Sequence, residues 1–303
     1  MRVRLSPIFL FVASFLIFVS SPWAQDLGPQ FRKIKDGIYV QAANERNSNC
    51  GIILTEDGVV LIDSGHNPTD SLAVLSAIKK LTSLPVRFLI DTETHNDHVT
   101  GHFVFSAPAI VIAHEGASEA IKKGYDPERN KRLMEQSPEM RAAFQNYRMV
   151  TPQIEYRQKM ALNLGERGFE LLYLKNAHSE ADTAIWLPKE RVLFAASAAI
   201  AKSFNNIRPF VAIPDILSSI KMMKSLNPEI VVAGHGTPGT TKIFDDVERY
   251  YTLLLERVGN MAREGKSLDQ IKKELRMPEY DDWANKDRLP NNIEAAYRAV
   301  KGN

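Results

Sequence analysis

The strand-like run Arg87-Phe88-Leu89-Ile90 leads directly into Asp91-Thr92-Glu93-Thr94-His95-Asn96-Asp97-His98, and no other stretch constrains the chain as tightly. Glu93, His95, Asp97 and His98 place four potential metal ligands within six positions. The chain holds only seven histidines, so two in one short loop is a concentration. A loop leaving a strand end can fan alternate side chains toward one point. Imidazole nitrogen and carboxylate oxygen are both natural zinc ligands, and three protein ligands plus a water make a catalytic site. The competing reading of the segment is a polar surface loop.

Around this loop the pattern is strands followed by a helix, twice. Gly37–Val40, Gly51–Leu54 and Val59–Ile62 are short β-like runs separated by turn residues. Leu72, Val74, Leu75 and Ile78 recur at helical spacing and predict a helix over 70–81, with Asp70 near its cap. A strand over 109–113 and a helix over 114–123 follow. Residues 125–156 are polar and Met-containing, and read as a helical insertion or lid. A second β-rich stretch covers 160–164, 169–174, 184–187 and 192–194. A helix over 215–226, a strand over 230–233 and the turn Gly234-His235-Gly236 come next. The stretch 243–303 reads as helices rich in Lys and Glu and carries no recognisable chemistry. Two β-rich halves with helices outside them predict a layered α/β domain spanning 25–303.

The first residues read differently. Arg2 and Arg4 precede the apolar run from Ile8 to Val19, and Ser20-Ser21-Pro22-Trp23-Ala24 follows. A basic start, a short apolar stretch and small residues make a secretory signal peptide over 1–24, with a periplasmic destination. The run is short for a membrane span, which needs roughly 20 apolar residues. Losing Arg2 and Arg4 takes the formal charge from +2 to zero. With no basic tail and no aromatic-plus-basic stretch, nucleic acid is not an expected partner. A small-molecule substrate is, and oligomeric state is not legible. Cys50, the only cysteine, lies beside an apolar run and reads as a small buried hydrophobe.

Glu-x-His-x-Asp-His is one substitution from the His-x-His-x-Asp-His signature of the metallo-β-lactamase superfamily, and the chain resembles that family in four further places. Leu61-Ile62-Asp63-Ser64-Gly65 looks like its Asp-bearing turn. Ala177-His178-Ser179-Glu180-Ala181-Asp182, followed by Ile185-Trp186-Leu187-Pro188, is similar to its third-histidine motif. Val192-Leu193-Phe194-Ala195-Ala196-Ser197 and Val232-Ala233-Gly234-His235-Gly236 match the remaining two. The resemblance implies an αβ/βα four-layer sandwich with the metals at one edge between two sheets. It also implies two zinc ions, one at minimum: the first held by Glu93, His95 and His178, the second by Asp97, His98 and His235.

Two departures stand out. Glu93 replaces the usual histidine, and Ser197 stands where many members carry an aspartate bridging both metals. One carboxylate is gained and one lost, and a harder ligand at Glu93 loosens the preference for zinc there. The loss at Ser197 tilts the resemblance toward β-lactamases.

The expected activity is therefore attack of a metal-activated water on a carbonyl, with Asp97 orienting the water and shuttling a proton. A β-lactam or other cyclic amide is the leading substrate class; a lactone, ester or thioester is the alternative. A non-catalytic zinc binder and an interaction module built on 125–156 are the readings from other classes. Asp63 is expected to orient a metal-binding histidine from behind, alongside Ser197. Asp182 reads as a similar partner or as a turn cap. Lys202, Asn205 and Asn206 are candidates for a substrate carboxylate or for a solvated loop. His66, His102 and His114 lie outside the motifs and read as structural or surface residues, with His66 and His102 also candidates to line the cleft.

Overall fold

A computed structural model describes residues 26–302 apart from 43 and 45. The signal-peptide reading of 1–24 lies outside the described residues. Among the described residues, twelve strands form two sheets. The first runs β1 (Phe31–Lys35), β2 (Ile38–Gln41), β3 (Cys50–Thr55), β4 (Gly58–Ile62), β5 (Val86–Ile90), β6 (Ile110–His114) and β7 (Ile154–Tyr156), in chain order across the sheet. Pairing is antiparallel up to β4 and parallel from there on. The second sheet takes β8 (Lys159–Leu164), β9 (Arg167–Tyr173), β10 (Thr183–Leu187), β11 (Val192–Phe194) and β12 (Ile230–Val232), with only β11 and β12 parallel.

Side chains alternate across a strand, so each central strand feeds two cores. Ile53, Val60, Ile62, Ile90 and Ile112 of the first sheet meet Phe169, Leu171, Ile185, Leu187 and Phe194 of the second in the layer between them. The opposite face of the first sheet, with Ile52, Leu61, Leu89 and Val111, is covered by Val74, Ala77 and Ile78 of α1 (Pro68–Leu81). The outer face of the second sheet is covered by helices further along the chain. Ala184, Trp186, Leu193 and Val231 pack there with residues of α7 (Ile213–Ser225), α8 (Lys242–Arg263) and α10 (Leu289–Lys301). At roughly 1.5–3 kcal/mol for each such side chain fully buried, four layers are the arrangement that leaves neither sheet face wet. The two sheets flanked by helices are the αβ/βα architecture expected from the sequence.

Several boundaries move for local reasons. α1 starts at Pro68, two residues early, because the Asn67 side chain accepts from the amides of Thr69 and Asp70 and Pro68 suits the first turn. The helix expected from His114 begins only at Ala117, as α4 (Ala117–Lys123), since His114 ends β6 and stacks on Tyr173 at 3.8 Å. Residues 125–156 contain two short helices, α5 (Pro127–Met134) and α6 (Pro138–Ala143), and then close as strand β7 on the edge of the first sheet. Three residues are too few for a period-two signal, so that strand was not legible. The C-terminal region contains α9 (Leu268–Glu274) between α8 and α10. No described helix is long and apolar enough to cross a membrane.

Candidate metal centre

The site forms where chain leaves the carboxyl ends of β4, β5 and β12, joined by the turn before β10. This is the edge of an α/β sheet at which side chains from separate loops converge. The 91–98 loop bends into two one-turn helices, α2 (Asn96–Val99) and α3 (His102–Phe105). It is tied to the second sheet by the Thr183 amide, which donates to the Thr92 carbonyl at 2.8 Å. Close packing fixes the last loop as well. A Cβ on Gly234 would stand 2.3 Å from Ser197 Oγ, so only glycine lets the His235 turn lie this near to residue 197.

Two groups of potential ligands assemble, Glu93 with His95 and His178, and Asp97 with His98 and His235, each with its donor atoms within 4.8 Å of one another. These are the six residues the sequence nominated. The Glu93 carboxylate is fully buried and lies between the groups. Its Oε2 is 2.6 Å from His95 Nδ1 and 3.4 Å from His178 Nε2, while its Oε1 is 3.2 Å from His98 Nε2. That Oε1 finds no hydrogen-bond partner of good geometry.

Backbone and carboxylate acceptors set which imidazole nitrogen is left free. His98 Nδ1 donates to Asp63 Oδ2 at 2.9 Å, and His235 Nδ1 donates to the Arg46 carbonyl at 3.0 Å. The two Nε2 atoms then face each other at 3.4 Å, with Asp97 Oδ2 3.5 Å from that of His235. Two imidazole nitrogens facing one another beside carboxylates are satisfied by a proton or by a metal cation between them, and the donor set of nitrogen and oxygen is one that zinc accepts. The residues present fit the metal.

Protons do this work when no metal is there. Burial opposes a charge on His98, but the carboxylates of Glu93, Asp63 and Asp97 outweigh it and push its pKa up to about 10. Burial likewise opposes ionisation of Asp97, yet His98 and His235 bring its carboxyl down to about 2. Burial wins at His178, which falls to about 3 despite Glu93.

The supporting residues are placed as follows. Asp63 accepts from the Thr92 amide at 2.7 Å and the Thr92 hydroxyl at 2.6 Å besides His98, so it locks the metal loop to the end of β4. Asp182 caps its own turn, accepting from the amides of His178 and Ser179 and from the Ser179 hydroxyl, and so fixes the backbone of His178. Ser197 is buried behind the His235 turn. Cys50 is buried with its thiol donating to the Asp63 carbonyl, and burial raises its pKa well above the ordinary value.

A cleft of about 210 Å3 opens over the centre, lined by His66, His95, Asp97, His178 and His235 and walled by Arg46, Ser203, Asn206, Arg208, Asn285 and Arg288. His66 does line it, 3.8 Å from Asp97, and burial depresses its pKa to about 4. His102 does not. It is buried against Asp91 at 2.8 Å and the Val150 carbonyl at 3.1 Å, bracing the metal loop from outside.

Lys202 and Asn205 do not line the cleft either. Lys202 is exposed and turned toward Asp282, while buried Asn205 donates to the Ser197 carbonyl at 2.9 Å and holds the loop in shape. Asn206 is the member of that trio at the cleft. The three arginines were not singled out from the sequence. Their only signal was Arg208 in the same segment as Asn206, since Arg46 and Arg288 lie in stretches without a motif.

Residues 43–235 match the model of the metallo-beta-lactamase superfamily. The chain is 23% identical over 205 residues to the alpha subunit of 2,4-dinitroanisole O-demethylase from Nocardioides sp. (strain JS1661), across 67% of this chain and 54% of that one. Its fold is similar to the inverting sec-alkylsulfatase Pisa1 from Pseudomonas sp., with TM-score 0.71 at 17% identity, covering 88% of this chain and 49% of the other. It is also similar to a metallo-beta-lactamase from Pontibacter korlensis, with TM-score 0.57 at 18% identity over 72% of this chain and 96% of that one. The chain thus spans about half the length of the O-demethylase subunit and of the alkylsulfatase. With the family match covering the whole stretch that carries the six candidate ligands, the chain belongs to the metallo-beta-lactamase superfamily.

Proposed function

We propose that the chain is an exported, zinc-dependent hydrolase of small molecules that holds two ions, one in each triad. The observation that carries this reading is the buried Glu93 carboxylate, which turns one oxygen toward His95 and His178 and the other toward His98. Glu93 is shared between the triads and supplies negative charge to both. Zinc, when bound, acidifies a water and polarises the bond under attack. Asp97 stays ionised because His98 and His235 outweigh its burial, so it would help to hold the second ion and could orient an attacking water and take up its proton. His66 stands 3.8 Å from Asp97, accepts from the Ser48 amide through Nδ1 at 3.3 Å and is uncharged near neutrality, so it walls the second triad as a neutral group. Export rests on the basic, apolar and small-residue succession of the first 24 positions.

A cyclic amide of the β-lactam class is the leading substrate, on the strength of Ser197 in place of an aspartate and of the likeness to a metallo-beta-lactamase. Ester hydrolysis is the second reading, and it is favoured by the likeness to a sec-alkylsulfatase across 88% of the chain. The test is zinc content by atomic emission, followed by turnover of a chromogenic β-lactam, 4-nitrophenyl acetate and 4-nitrophenyl sulfate with and without chelator. Chelator-sensitive cleavage of one of them supports the hydrolase and names its class. Two bound zinc ions with no cleavage of any would leave a zinc-binding protein, and no bound metal would overturn the reading.

A further inference from the structure

Three guanidinium groups converge on the cleft from segments far apart in the chain. Arg46 comes from the turn between β2 and β3, Arg208 from the loop leading to α7, and Arg288 from the turn that opens α10. Arg167 and Arg257 elsewhere are paired with Glu190 and Glu279. Among the described residues, Arg208 and Arg288 have no carboxylate within pairing distance. Each spends a donor on a backbone carbonyl instead, Arg208 on Asn206 and Arg288 on Phe204, both at 3.2 Å. A guanidinium carries five donors, so most remain for something else.

The three charges lie in one another's field. Partial burial, then repulsion from Arg208 and Arg46, hold Arg288 below the usual guanidinium range against the pull of Asp287 and Asp97. Arg208 lines the same cleft as His95 and His178 of the first triad. Among the residues lining the cleft Asp97 is the only acid, and it belongs to the second triad. Like charges gathered in a cleft with low-dielectric walls repel one another, and an arriving anion relieves that repulsion. Asn206 and Asn285 add neutral donors to the same wall. Asn285 sits in the left-handed region at φ 58°, and its side chain donates to Ser203 Oγ at 2.8 Å.

We propose that Arg208 and Arg288, with Arg46 at the outer edge, form a subsite for an oxyanion group of the substrate, a carboxylate or a sulfate, held beside the metal triads. The planar guanidinium fork matches two oxygens of either group. A cleft of about 210 Å3 is below the roughly 300–1,000 Å3 of sites that engulf a whole drug-sized ligand. It takes the anionic, reacting end of a molecule whose remainder lies outside. The subsite rests on the hydrolase reading only in making the anion part of a substrate.

The test is calorimetric titration of the full chain with sodium sulfate and with sodium acetate, at matched ionic strength in chloride, in both metal-free and zinc-loaded protein. One saturable site is expected in both metal states, with affinity falling about tenfold or more in Arg208→Ala and in Arg288→Ala while zinc content is unchanged. The Arg208→Lys and Arg288→Lys variants keep the charge and recover part of the loss. They also keep the test open if either alanine variant misfolds. Preference for acetate assigns a carboxylate, and preference for sulfate a sulfate ester. Anion binding that survives both alanine substitutions, or no binding at tens of millimolar in either metal state, overturns the subsite. A protein that binds sulfate through these arginines yet cleaves no substrate overturns the hydrolase reading instead.

Discussion

The floor and the rim of the cleft are held by different means. On the floor, Glu93 and His98 are wholly buried, and three of the six candidate ligands have a named partner behind them. His98 leans on Asp63, the backbone of His178 is fixed by Asp182, and His235 is tied to the Arg46 carbonyl. At the rim, Arg46 is exposed and Arg208 and Arg288 are half-buried, the latter two anchored by single bonds to loop carbonyls. A floor built this way has one geometry, so a change there is felt by the metal. The rim side chains can change without touching the bonds that hold the floor, which reach the rim only through the Arg46 backbone carbonyl, so a change there alters what is bound.

The sharpest way to break that contrast is His95→Ala, which removes a ligand from the first triad. Turnover should fall to background while the protein stays folded, as read by circular dichroism. Activity retained in this variant would sink the two-triad site. Next in size is Asp63→Asn. It keeps the shape but weakens the acceptor behind His98, and zinc affinity should drop about 10–100-fold in a chelator competition.

Acidity gives a smaller, graded effect on the floor. In metal-free protein His98 is held at about 10 by Glu93, Asp63 and Asp97 against burial, so below that pH it carries a proton that zinc must displace. A raised folded-state value means that protonated His98 stabilises the metal-free fold fully below about 6.5 and ceases to do so as pH rises through 10. Apparent zinc affinity should therefore climb between pH 6 and 8, by about tenfold per unit for each proton released. A flat profile would place the proton elsewhere. The smallest effect belongs to Lys202→Ala. Its exposed pairing with Asp282 at 3.5 Å should contribute less than about 0.5 kcal/mol to stability, and KM should not move.

The same division explains what could be read in the sequence. Glu93, His95, Asp97 and His98 announce themselves because four ligand types crowd one strand end, and the resemblance extends the set to His178 and His235. The strands and helices that carry them follow from alternation and from helical spacing, with errors of a few residues where a cap such as Asn67 intervened. The rim was illegible for a physical reason. Residues 202–208 form irregular chain with no period, so nothing in the order of residues says that Lys202 turns outward, Asn205 inward and Asn206 toward the cleft. Arg288 comes from the helical C-terminal region, which looked featureless. It reaches the site because Ala284 is stitched to Lys202 and Phe204 by backbone hydrogen bonds of 2.9 and 3.0 Å.

His235 is 137 residues beyond His98 in the chain, and its turn is pinned to the start of the molecule. The Asn49 amide donates to the Gly234 carbonyl, and the Asn49 side chain donates to the carbonyls of Ala233 and Gly236, each at 2.8 Å. During synthesis this suture cannot form until β12 has emerged and paired with β11. A nascent chain that ends before it can present Glu93, His95 and His178 to an ion, but its second triad lacks a member. The second triad therefore assembles only once both halves of the chain have met.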